Sequence, residues 1–137
     1  MSVVEEGESG FSIRVSGRLV FIRHWGNQTS TLGQAFAEQY KSAIHPLLTQ
    51  NWAEIVDLTE ALSVEDGHKE QVACLYEREH LLNNVATAYV LSVRTSAALR
   101  RNVNQLVATQ TTSFSDKFFN DPIEALNWVN QRLAMAR

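Results

Sequence analysis

The chain has 137 residues, 45% of them hydrophobic and 20% charged, the ordinary balance of a globular protein that buries one core without disulfides or a structural metal. Its 12 basic residues against 15 acidic ones leave a net charge of -3, which argues against the phosphate backbone of a nucleic acid as partner. The opening MSVVEEGESG carries acids where a signal peptide needs basic and apolar stretches, and no run reaches the length of a membrane span, so a cytoplasmic protein without one is expected.

Residues 1–10 are polar, acidic and poor in apolar surface, and are expected to form a flexible tail ahead of one domain over residues 11–137. Phe11, Ile13 and Val15 alternate with polar residues, and a second β-rich run, Leu19 to Ile22, follows Ser16-Gly17-Arg18. This predicts a hairpin with one covered face. Thr31 and Gln34 fit a capping box, and Leu32, Phe36, Tyr40, Ala43 and Leu47 then recur at helical spacing until Pro46 breaks the helix near His45.

The run Ala53 to Leu58 predicts a central strand leading into a polar loop. Ser63, Glu65 and Asp66 supply the cap and first-turn acids of a second helix reaching about Leu82. Ala86 to Val93 is the most continuous apolar strand signal. Thr95 or Ser96 caps a third helix, and Phe114, Phe118 and Phe119 mark a last strand. Asp121-Pro122-Ile123-Glu124 is the clearest helix start in the chain, with Ile123, Leu126, Val129 and Leu133 as its inner stripe. The order ββαβαβαβα defines an α/β fold, a mixed five-stranded sheet covered by four helices.

Few residues carry chemistry. His24, His45, His68 and His80 lack the spacing of a zinc site, and Cys74, between Val72 and Leu75, has the setting of a small core side chain. Position near a helix start makes His68 a partly exposed polar residue on this reading. No glycine-rich phosphate loop or nucleophile elbow occurs, so no catalytic residue, metal or cofactor is expected and the chain does not read as an enzyme. Asp57 closes the central strand, where open α/β sheets place ligands. Arg94, Arg100 and Arg101 cluster at the third helix, either as a solvated face or as an anion-friendly patch.

The segment from Val56 to Gly67, VDLTEALSVEDG, resembles the strand-loop-helix of STAS domains, the family of sulfate-transporter cytoplasmic domains and bacterial anti-sigma-factor antagonists. The closing FSDKFFNDPIEALNWV is similar to the end of small stand-alone SpoIIAA-like members, with Ala125, Leu126 and Trp128 carrying the match. The resemblance implies a SpoIIAA-like (STAS) fold and a noncatalytic regulatory module that binds a protein partner. It would place an Asp-Ser-Ser-Gly motif, with the second serine as phosphoacceptor, where this chain reads Glu65-Asp66-Gly67-His68, so no hydroxyl is available there. On that reading the partner-binding residues are Asp57, Thr59, Ser63, Glu65 and Asp66 in the loop after Leu58 and at the start of the second helix. The alternative is a small apolar or lipid-like ligand held in a pocket of Phe36, Tyr40, Phe118 and Trp128. The apolar faces of the hairpin or the last helix offer a second copy of the chain a surface for a homodimer.

Overall fold

Three antiparallel strands open the chain, β1 (Ser2–Glu6), β2 (Ser9–Ser16) and β3 (Leu19–Gln28). The computed structural model describes residues 1–77, 80–109 and 115–136. The strands are joined by Gly7-Glu8 and Gly17-Arg18, because Glu6 pairs with Ser9 and Ser16 with Leu19. Each loop begins on a glycine in the left-handed region, φ 62° and 60°, which matches the twist of a tight hairpin and which other side chains resist.

Residues 2–6 depart from the expected flexible tail, and they raise the sheet to six strands from five. The reason is that main-chain pairing needs no apolar pattern: β1 matches β2 residue for residue from Ser2↔Ile13 to Glu6↔Ser9. Val4 rests against the core, and Glu6 accepts a hydrogen bond from Thr29 Oγ1 at 2.9 Å.

From β3 onward strands and helices alternate through α1 (Ser30–Ile44), β4 (Trp52–Val64), α2 (Asp66–Leu75), β5 (Asn84–Val90), α3 (Ala97–Thr109), β6 (Ser115–Phe119) and α4 (Pro122–Met135). A short 3₁₀ turn, His45–Leu47, ends α1 at Pro46 as the proline predicts. Strands β3 to β6 are mutually parallel, and the sheet order follows the chain, β1-β2-β3-β4-β5-β6. When each new strand is added on the same side, right-handed crossovers must put every connecting helix on one face. Accordingly α1, α2 and α3 pack with Phe11, Ile22, Trp52, Val56 and Tyr89 in the larger core. Helix α4, which follows β6, closes the other face against Ala53, Ile55, Ala86, Ala88 and Val90. The architecture is thus the expected α/β layering with four helices among the described residues.

Several boundaries move for identifiable reasons. Thr29, not Thr31, caps α1, accepting from Leu32 N at 3.2 Å. Helix α2 stops at Leu75, and Cys74 is exposed rather than in the core. On α4 the cap is as expected, Asp121 accepting from Ile123 N at 2.9 Å. Its buried residues are however Ala125, Val129 and Leu133, with Ile123 69% exposed. Arg100 is tied to the loop after β5, donating to the carbonyls of Ser92 and Thr95 at 2.5 and 3.3 Å. Phe114 lies outside the described residues. No helix among the described residues is long and apolar enough to cross a membrane.

Helices α1 and α2 approach unusually closely at Gly33, where an added Cβ would lie 2.7 Å from His68 Cα. Gly33→Ala trades a helix-propensity gain of about 1 kcal/mol against overpacking of about 1–3 kcal/mol. The backbone of His68 cannot yield as a flexible side chain would, so a net loss of about 1 kcal/mol is expected in urea titration. A stabilised variant would mean the helices separate freely.

Candidate functional site

The expected loop after Leu58 does not exist. Strand β4 continues to Val64, its second half pairing with Trp25 to Gln28 across register shifts between Arg23 and Trp25 and between Gly26 and Asn27. The first shift reorients the strand, so that Leu58 and Ala61 both reach the larger core while Glu60 pairs with Arg23 on the surface. Asp57 is therefore mid-strand and not at a carboxyl end. Its Oδ1 accepts from Thr59 N at 2.9 Å and Thr59 Oγ1 at 2.6 Å, and it borders a groove on the α4 face with Arg14, Arg23 and Ile123.

Ser63, Glu65 and Asp66 are brought together elsewhere, at the edge where α1 and α2 begin. Ser63 Oγ donates to Asn27 Oδ1 at 2.7 Å. Glu65 occupies the N-cap position of α2 but sends its carboxylate across to Ser30 N, at 2.6 Å, so that one acid satisfies the first amide of the neighbouring helix. Asp66 is exposed and pairs with Lys69 at 2.9 Å. Gly67 lies close to the same helix start: an added Cβ would lie 2.3 Å from Ser30 Oγ, which would have to shift. The five expected residues thus divide into Asp57 and Thr59 beside α4, and Ser63, Glu65 and Asp66 at the α1/α2 edge.

The expected aromatic pocket divides too. Phe36 and Tyr40 stack with each other in the larger core, whereas Trp128 packs on Phe119 on the opposite face of the sheet. Phe118 stacks on Tyr89 and is 39% exposed. Of the four, Phe36 alone lines a cavity of about 210 Å³ between the sheet, α2 and α3. Val56, Leu58, Val72, Leu99 and Val103 make its apolar wall, and Lys69, Asn102 and Gln105 reach it from more open positions.

Two histidines also face this cavity, and the sequence offered no sign of either. His68 is 4% exposed, not the partly exposed residue expected, because the contact with Gly33 draws the start of α2 inward. His24 is 5% exposed and touches Phe36 and His68, with ring centroids 4.8 and 5.9 Å away. Gln28 fixes the His24 tautomer: its Nε2 donates to the carbonyls of Gly10 and Trp25, leaving Oε1 to accept, at 3.0 Å, from His24 Nδ1–H. Burial holds both rings down at about 4; for His24 the nearby His68 adds to the effect, and for His68 its own backbone and the Glu65 charge oppose it. Both are uncharged at neutral pH.

Beneath the cavity sits Glu54, fully buried in β4, an acid hidden in the run Ala53 to Leu58. Its Oε1 accepts from Tyr40 and Tyr76 hydroxyls at 2.8 and 3.2 Å and its Oε2 from Thr87 at 2.8 Å. Burial, reinforced by Glu54, pushes both tyrosines well above their ordinary value. The one sequence signal for this cluster was an acid at an inward-facing strand position.

No family model matches the chain, and no curated protein matches it in sequence. Its fold does match solved structures. An uncharacterized DUF3478-family protein with a SpoIIAA-like fold from Shewanella loihica superposes with a TM-score of 0.67 at 18% identity, over 92% of this chain and 98% of that one. The unphosphorylated anti-sigma factor antagonist SpoIIAA gives 0.62 at 16% identity, over 88% and 97%. An anti-sigma factor antagonist from Mycobacterium paratuberculosis gives 0.54 at 16% identity, over 94% and 95%. The chain is an α/β protein with the SpoIIAA-like fold of STAS domains.

Proposed function

We propose that this protein is a noncatalytic, cytoplasmic regulatory module that binds a protein partner through the α1/α2 edge. The observation that carries the reading is the gathering of acids there: Glu65 is held against Ser30 N at 2.6 Å, and Asp66 stands exposed beside it, paired with Lys69. Such an edge suits a basic partner surface, because complementary charge steers encounter and fixes register. The anti-sigma factor antagonists that share the fold support a protein partner. Gly67 supports binding without a phosphoserine switch at that position, since Ser30 occupies the space a side chain would need. Asp57 and Thr59 are left to a structural role, tied to each other on the far face.

Reversing both acids, Glu65→Lys with Asp66→Lys, is expected to lower recovery of the partner in quantitative pull-down at least tenfold. Glu38→Lys with Glu124→Lys makes the same change of charge at exposed sites elsewhere and should leave recovery unchanged. Equal recovery by both pairs would defeat the reading. If the partner is a second copy of the chain, the first pair alone converts a dimer to a monomer in light scattering.

A second reading, a small apolar or lipid-like ligand, is supported by the 210 Å³ cavity rather than by the aromatic quartet. This volume exceeds the roughly 150 Å³ of an engineered apolar cavity that binds benzene.

A further inference from the structure

His68 presents its ring to the cavity with neither Nδ1 nor Nε2 hydrogen-bonded, although the residue is only 4% exposed. A neutral imidazole carries one N–H donor and one lone pair, and buried polar groups of that kind are nearly always matched. Among the described residues nothing supplies the match. His24, the adjacent ring, has its N–H committed to Gln28, and Lys69 is drawn to Asp66 at 2.9 Å. Phe36, Val64 and Val72 add apolar surface to the same wall.

We propose that the cavity takes a small neutral amphiphile whose hydroxyl group hydrogen-bonds the His68 ring while its apolar body lies against Leu58, Leu99 and Val103. The inference rests on the second reading above and adds to it the chemistry of the head group. A hydroxyl both donates and accepts, so it can serve whichever nitrogen of His68 bears the proton. A carboxylate only accepts and would bring its charge into an apolar wall beside two uncharged rings; an ammonium would do the same with the opposite sign. The volume admits one ring or a short chain and not a full-length lipid tail.

The test uses the full chain at neutral pH with hexanol, toluene and hexanoate as probes, followed by calorimetry and by nitrogen NMR of the histidine rings. Hexanol is expected to bind saturably and to shift the ring nitrogens of His68; toluene should bind without shifting them, and hexanoate more weakly than hexanol. His68→Phe keeps the ring and removes both nitrogens. It should weaken hexanol about tenfold and leave toluene unchanged, the size of one buried hydrogen bond. Should that variant fail to fold, the contrast between hexanol and toluene in the ring spectra of the wild-type protein decides alone.

Failure of the folded protein to bind either hexanol or toluene would overturn the cavity reading and this inference with it. Equal behaviour of hexanol and toluene would leave an apolar ligand site standing and overturn the hydroxyl assignment. Tighter binding of hexanoate would overturn the neutral head group.

Discussion

Acidification between pH 6.5 and pH 4 is expected to remove about 3 kcal/mol of stability for each of His24 and His68, the value of a displacement from 6.5 to about 4. In that window the unfolded chain binds protons that the folded one refuses, so stability rises with pH across it and falls as pH is lowered. Desolvation is the leading cause for both rings, and they face each other across 5.9 Å, so charging one makes charging the other harder. Urea titrations at intervals through the window measure this directly. His68→Phe should flatten the slope by removing one of the two groups. Equal slopes for variant and wild type would show that His68 reaches water freely. At the alkaline end the sign reverses: Tyr40 and Tyr76 hold their protons above the ordinary tyrosine value, so stability falls above about pH 10 as the unfolded chain ionises.

Glu54→Ala is expected to cost about 3–5 kcal/mol, because it strands buried hydroxyls and opens a hole at once. Tyr40 and Tyr76 would lose their acceptor inside the core, while Thr87 keeps a longer contact with Asn84 Oδ1 at 3.4 Å. Glu54→Gln retains an oxygen but turns donors toward hydroxyls that are themselves donating, so a smaller loss of about 1–2 kcal/mol is expected. Tyr40→Phe should fall in the same smaller range, since it removes one donor and leaves the carboxylate its other partners. Equilibrium unfolding ranks the three. An alanine variant within about 0.5 kcal/mol of wild type would mean water enters and satisfies the hydroxyls.

These two effects arise from residues that the sequence hid, and the reason is common to both. Periodicity reports which positions face inward, and it found Leu32, Phe36, Tyr40, Val56 and Val129 correctly because burial follows apolar spacing. It says nothing about polar residues at inward positions. His24, Glu54 and His68 each sit in that blind spot, and the hydroxyls that satisfy Glu54 come from other parts of the chain. Local chemistry was readable where it is truly local: Asp121 and Pro122 start α4, and Pro46 ends α1. Main-chain pairing was not. Strand β1 holds its place through its hairpin neighbour β2 and the second half of β4 through β3, far back in the chain, so an apparent tail and an apparent loop are both strands. The STAS-like segment from Val56 to Gly67 pointed to the right fold. It also joined Asp57 to Glu65 as one surface, although the shift after Arg23 sends them to different faces.

Hydrogen exchange on the complex shows whether the α1/α2 edge meets the protein partner. With the partner recovered by pull-down added back to the purified chain, amides of Ser63 to Lys69 and of Ser30 to Gly33 are expected to slow at least tenfold. Those of α4 should keep their free-state rates. Protection confined to α4 and β6, with the α1/α2 edge exchanging as it does alone, would contradict the account.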